Sequence, residues 1–67
     1  MTKQEKITLA ALISAVSEKD RAAEKFLFHL EHSTDPEKRM SAYRKLTLAN
    51  AVYDEMRAAA ETLLKDD

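Results

Sequence analysis

The sequence of 67 residues contains no cysteine, no glycine and only one proline. Without cysteine, neither a disulfide nor a thiolate metal site is available, and the chain suits a reducing compartment. Without glycine, there is no glycine-rich loop that could cradle phosphate groups. A single small domain rarely gains more than about 3–5 kcal/mol from its own core. Oligomerisation is then the usual way to bury more apolar surface.

Acidic and basic residues nearly cancel, giving a net charge of −1 and an isoelectric point near 6.1. The whole molecule therefore lacks the positive field that drives unspecific binding to nucleic acids, although a local basic face remains open. Hydrophobic residues make up 45% of the chain, which is enough for a folded core. The polar segment 1–6 is not followed by a sustained apolar stretch. We therefore expect a cytoplasmic protein without a signal peptide or membrane span.

The second half of the chain has apolar residues at alternating intervals of four and three, the spacing of a coiled-coil seam. This seam consists of Ala42, Leu46, Ala49, Tyr53, Met56, Ala60 and Leu63. A second stripe with the same spacing consists of Leu9, Ile13, Val16, Ala23, Leu27 and Leu30. Asp20 interrupts it, and Leu12 and Phe26 lie beside it. Either Asp20 sets the register of a helical bundle, or helix 1 turns it into water.

Local signals place the ends of two helices. Thr2 and Glu5 have the spacing of a capping box, so helix 1 should cover about residues 3–31. The break falls at 32–35, before Pro36, which fits the first turn of a helix because no N–H is needed there. Either Asp35 or Thr34 can cap helix 2, which should cover about residues 36–65.

These patterns predict an all-α fold in which an antiparallel two-helix hairpin forms a single domain. A short loop makes the helices neighbours, but one hairpin cannot hide both stripes. We therefore expect a homodimer in which two hairpins form a four-helix bundle. Its predicted interface comprises Leu9, Leu12, Ile13, Val16, Leu27, Leu46, Ala49, Tyr53, Met56, Ala60 and Leu63.

Three further side chains fall outside the predicted seams, near the loop. Phe28, Met40 and Tyr43 form a candidate partner-binding patch, since exposed aromatic and methionine side chains are typical of adaptable protein-binding surfaces. The alternative is that they close the end of the dimer core. The nearby basic group, Lys38, Arg39, Arg44 and Lys45, favours a salt-bridged solvated face over contact with nucleic acid or an acidic protein.

The sequence offers little support for catalysis or a cofactor. His29 and His32 are spaced to share one side of a helix, but a closed zinc site normally needs four ligands, and histidines also favour helix C-termini. Acidic pairs such as Asp54 with Glu55 suit a solvated face better than acid–base chemistry. We expect no enzyme, no metal, no cofactor and no small-molecule substrate.

The opening hexapeptide Met1-Thr2-Lys3-Gln4-Glu5-Lys6 resembles that of the Rop family. Members of this family are helical hairpins that dimerise into four-helix bundles and bind paired RNA loops. The resemblance implies RNA-binding roles for Lys3, Lys6 and Lys25. The places that hold amide and aromatic side chains in the family are occupied here by Ala10, Ser14 and Glu18.

Two hypotheses for function follow. The first is a non-enzymatic, homodimeric adaptor or inhibitor that docks on another protein. Such small glycine-free helical chains resemble accessory regulators of phages and other mobile elements, which act on a host protein. The alternative is a Rop-like RNA-binding regulator. An oligomerisation element without a further partner is a third possibility.

Overall fold

The computed structural model describes residues 2–65, which form two long α-helices and no strand. Helix α1 covers Lys3–His32 and helix α2 covers Pro36–Lys65, so the predicted all-α class is confirmed. The helices pack side by side over their length, and the molecule measures 50 × 13 × 13 Å. No helix among these residues is long and apolar enough to cross a membrane.

Helix α1 begins with the capping box that the sequence predicts. The Glu5 N–H donates to Thr2 Oγ1 at 3.2 Å, and the Thr2 N–H donates to Glu5 Oε1 at 3.1 Å. Both bonds satisfy backbone N–H groups that a first helical turn otherwise leaves unpaired.

The loop between the helices comprises Ser33, Thr34 and Asp35. The Ser33 N–H donates to the His29 carbonyl at 3.0 Å and ends α1. Asp35 Oδ1 accepts the Glu37 N–H at 2.9 Å, while the Asp35 N–H donates to Ser33 Oγ at 3.2 Å. Of the two predicted caps of α2, Asp35 is therefore the one that the structure uses.

Arg39, in the first turns of α2, ties the two helices together. Its Nη2 donates to the Leu30 carbonyl at 3.1 Å, and its Nε donates to the His29 carbonyl at 3.4 Å. Both carbonyls belong to the last turn of α1, where a cation is favoured by the helix dipole. The His29 carbonyl also accepts the Ser33 N–H, whereas the Leu30 carbonyl lies beyond the last backbone bond of the helix. Arg39 therefore fixes the start of α2 against the end of α1.

The seam between the helices is the set of positions that are buried or half-buried at alternating intervals of three and four. On α2 these are the seven residues of the predicted seam, from Ala42 to Leu63. On α1 they are Thr8, Leu12, Ala15, Lys19, Ala22, Phe26 and His29. The most deeply buried hydrophobic residues among positions 2–65 are three alanines, Ala15, Ala42 and Ala60.

The seam of α1 lies one residue before the stripe of larger side chains that the sequence singles out. Ile13 is 68% exposed and Leu27 is 55% exposed, although both belong to that stripe. Two causes favour this rotation. Small residues at Ala15 and Ala22 let the helices pack closely, and Asp20 stays in water, which avoids the cost of burying an unpaired carboxylate. Within one hairpin, Asp20 is thus turned into water.

Two contacts set the height of one helix against the other. The rings of Phe26 and Tyr43 pack at 5.6 Å with an interplanar angle of 55°. Further from the loop, Lys19 Nζ lies 4.3 Å from the centre of the Tyr53 ring. The aliphatic stem of Lys19 thereby occupies a seam position while its charge rests on an aromatic face.

Candidate interaction surfaces

An exposed stripe of apolar residues, interrupted only by Asp20, lies on α1 beside the seam. We call it the apolar flank, and it consists of Leu9, Ile13, Val16, Ala23, Leu27 and Leu30. Leu9 is half-buried and the other members are exposed. Met40 and Tyr43, both about half exposed, lie on the same side of the hairpin by their place in the heptad of α2. A single chain therefore leaves a whole helical face in water.

The apolar flank is almost symmetric about Asp20. Val16 lies four residues before Asp20 and Ala23 three residues after it, while Ile13 and Leu27 each lie seven residues away. At the two ends, Leu9 corresponds to Leu30. A helical stripe with this pattern presents a similar surface when read from either end.

The opposite side of the hairpin carries a basic groove between the helices. Its walls hold four cations, Arg21 and Lys25 from α1 with Lys38 and Lys45 from α2. Ala22 and Ala42 line it from the seam, and it encloses about 350 Å³. Further lining residues are Glu18, His29 and Ser41.

The groove cations have no carboxylate partner among the described residues. Within residues 2–65, Arg57 and Glu61 form an ion pair at 3.7 Å, and His32 Nε2 lies 3.8 Å from Glu31 Oε2. Lys38 and Lys45, predicted to belong to a salt-bridged face, are instead unpaired and exposed. Arg39, from the same basic group, binds backbone carbonyls. The groove therefore combines four positive charges with the single negative charge of Glu18.

Sequence reasoning missed the contribution of α1 to this groove. The available signal is the position of Arg21 and Lys25, which lie four residues apart and on the side of α1 away from the apolar flank. Lys38 and Lys45 are seven residues apart and share one side of α2. Only the packing of the helices shows that these two pairs face each other.

The three residues of the predicted partner-binding patch lie on two sides of the hairpin. Phe28 is 58% exposed and follows Arg21 and Lys25 at helical spacing, so it lies on the groove side. Its ring packs on His32 at 4.7 Å and meets the His29 ring at 5.7 Å. Met40 and Tyr43 lie on the side of the apolar flank.

The predicted dimer residues likewise divide into two groups. Seven of them already contact the other helix of the same chain at the seam, namely Leu12, Leu46, Ala49, Tyr53, Met56, Ala60 and Leu63. Leu9, Ile13, Val16 and Leu27 belong to the apolar flank and remain available to another molecule. The first group therefore supports the hairpin, whatever else it contacts.

The lysines that the Rop resemblance implies do not converge in one chain. Lys3 and Lys6 are exposed in the first turns of α1, whereas Lys25 lines the groove near the loop. Since a helix rises about 1.5 Å per residue, Lys6 and Lys25 are about 29 Å apart along the axis.

The described histidines and carboxylates do not gather into a metal-binding group of three or more. His29 Nδ1 is buried and has no hydrogen-bond partner within residues 2–65. His32 Nε2 lies near Glu31 only.

Comparisons with protein-family models, with curated proteins and with solved structures found no match. The resemblance to the Rop family accordingly stays a prediction, and the function is inferred from the surfaces of the chain itself.

Proposed function

We propose that the chain is a non-enzymatic protein-interaction module, an adaptor or inhibitor, that acts as a homodimer. The observation that carries this proposal is the mismatch between what the hairpin buries and what it exposes. Among the described residues its most deeply buried hydrophobic side chains are alanines, while Ile13, Leu27 and Leu30 are left in water. Burying a large apolar side chain is worth about 1.5–3 kcal/mol, so covering this flank is the main source of stability still open to the molecule.

A second copy is the occupant that fits the apolar flank best. When two such helices pack antiparallel about a two-fold axis, Leu9 meets Leu30 of the partner subunit, and Ile13 meets the partner's Leu27. Val16 faces the partner's Ala23, and the two copies of Asp20 meet at the axis. The pairing joins two hairpins into a four-helix bundle.

This dimer leaves the basic groove and Phe28 facing outward on each hairpin, because both lie away from the apolar flank. Met40 and Tyr43 lie at the edge of the dimer interface, so the partner-binding role falls mainly to the groove side. RNA binding through Lys3, Lys6 and Lys25 has less support, because these lysines are separated along α1 and the net charge is −1.

Sedimentation equilibrium at micromolar concentration tests the dimer. The expected mass is that of two chains, and a compact monomer with a cooperative thermal transition would overturn the proposal. Asp20→Leu sharpens the test. If Asp20 lies at the two-fold axis, this change removes two like charges that face each other and should stabilise the dimer. The matched control is Glu55→Leu, at an exposed position of α2 on the groove side, which should not change dimer stability.

A further inference from the structure

We infer that the basic groove binds an acidic amphipathic segment of a partner protein, with the carboxylates on the groove cations and its apolar residues on the adjoining part of α2. This inference rests on the proposed function and adds the chemistry of the partner. The groove is a shared surface of both helices, so it exists only in the folded hairpin.

The charge of the groove is the first argument. Arg21, Lys25, Lys38 and Lys45 surround it without a carboxylate partner within 4.0 Å among the described residues. Arg21 and Lys25 are one helical turn apart, which matches two carboxylates spaced by one turn on a bound helix. Ala22 and Ala42 beneath them leave space for the side chains of that segment.

The surface next to the groove is the second argument. Along α2, Lys38, Ser41 and Lys45 are followed at the same three-and-four spacing by Leu48 and Val52. Leu48 is 68% exposed and Val52 is 46% exposed. One side of α2 therefore changes from basic to apolar over about 21 Å. A segment with an acidic turn followed by an apolar turn complements both parts.

The same features argue against a nucleic acid. A phosphate backbone carries negative charge throughout and has no apolar continuation to place on Leu48 and Val52. Glu18, inside the groove, repels a continuous polyanion but tolerates discrete carboxylates placed away from it. A second copy of the chain is already assigned to the opposite side of the hairpin.

Fluorescence anisotropy with the full chain tests the inference. The ligand is a short fluorescein-labelled helical peptide with glutamates on two successive turns and leucines on the next. The matched ligands are the same peptide with glutamine for glutamate and a labelled single-stranded RNA. We expect the acidic peptide to bind, the glutamine peptide to bind at least about tenfold more weakly, and the RNA to bind more weakly than the acidic peptide.

Variants then locate the binding surface. Lys25→Gln/Lys38→Gln should weaken the peptide about tenfold, whereas Lys3→Gln/Lys6→Gln, which removes the same charge at the far end of α1, should change it by less than about twofold. Leu48→Asp should also weaken binding. The inference would be overturned if both double variants lost the same affinity for the acidic peptide. It would also be overturned if the peptide did not bind, or if RNA bound more tightly than the peptide.

Sedimentation of the same samples separates this inference from the proposed function. A dimer that does not bind the acidic peptide would refute the groove assignment and leave the homodimer standing. A monomer that binds the peptide in a Lys25- and Lys38-dependent manner would refute the homodimer and retain the groove.

Discussion

The most buried positions of the seam and the exposed positions of the apolar flank differ in the size of their residues. The seam places Ala15, Ala42 and Ala60 at its most buried positions, whereas the flank exposes leucine, isoleucine and valine. Alanine contributes little hydrophobic free energy but permits close packing of helices, while large side chains contribute most when they are covered. The difference indicates that small seam residues fix the close approach of the two helices, and that the large side chains of the flank contribute to stability only where something covers them.

The sharpest way to test this difference is to place the same charge on each side of the hairpin. Leu27→Asp, on the apolar flank, should destabilise the dimer by about 3–5 kcal/mol and dissociate it, because a carboxylate replaces an apolar side chain at the interface. Leu48→Asp, on the groove side, should leave the dimer intact. Sedimentation equilibrium and thermal unfolding measure both effects. A dimeric Leu27→Asp variant would show that the flank is not the interface.

The seam should respond to size instead of polarity. Ala15 is 4% exposed, so Ala15→Leu forces extra volume between the helices and should lower the free energy of unfolding by about 1–3 kcal/mol. Ala10→Leu, at an exposed position of the same helix, is the matched control and should have little effect. Chemical denaturation measures the difference. If Ala15→Leu stabilises the protein, the seam is not closely packed.

A smaller effect is expected where the two helices are joined at the loop. Arg39→Ala removes the donors to the His29 and Leu30 carbonyls and should cost about 1 kcal/mol. Arg44→Ala removes an exposed arginine nearby and should cost less. The urea midpoint should fall for Arg39→Ala with an unchanged slope, since the same surface is exposed on unfolding. Equal midpoints for the two variants would mean that the Arg39 bonds add nothing to stability.

The two helices were not equally predictable from sequence. On α2 the apolar heptad, from Ala42 to Leu63, is the seam, because its neighbouring positions are mostly polar and leave one choice of face. On α1 two stripes compete, and hydrophobicity alone favours the one with Ile13 and Leu27. The structure buries the other, which contains Ala15 and Lys19. The close approach of α1 to α2 and the contact of Lys19 with Tyr53 decide which stripe is buried. Neither can be read from a hydrophobic pattern.

Local signals at the helix ends were reliable, whereas the groove was not foreseeable. The capping box of Thr2 and Glu5 depends on residues three apart in sequence, so its geometry follows from spacing alone. The groove depends on which side of α1 meets which side of α2. Predicting it would have required the correct seam on α1, from which the positions of Arg21 and Lys25 follow.

A change in the capping box should have the smallest effect on the stability of the protein. It tests how much the first turn of α1 contributes to that stability compared with the apolar flank. The Thr2 backbone N–H, followed by the Thr2 side chain, lowers the pKa of Glu5. The ionised carboxylate thus stabilises the folded state. This contribution is fully present above the unperturbed glutamate pKa of about 4.3 and is lost as the pH falls through the lowered pKa.

Glu5→Gln isolates this term, because glutamine can still accept the Thr2 N–H but does not titrate. Wild type should melt at a slightly higher temperature than Glu5→Gln at neutral pH, and the two should converge as the pH falls through the lowered pKa of Glu5 and its carboxylate becomes protonated. Thermal melts of both proteins at the same concentration measure the difference, and all other titrating groups cancel in it. A difference in melting temperature that stays constant with pH would mean that the charge of Glu5 does not contribute to stability. If the difference were as large as the fall in melting temperature caused by Leu27→Asp, the first turn of α1 would contribute as much to stability as the apolar flank.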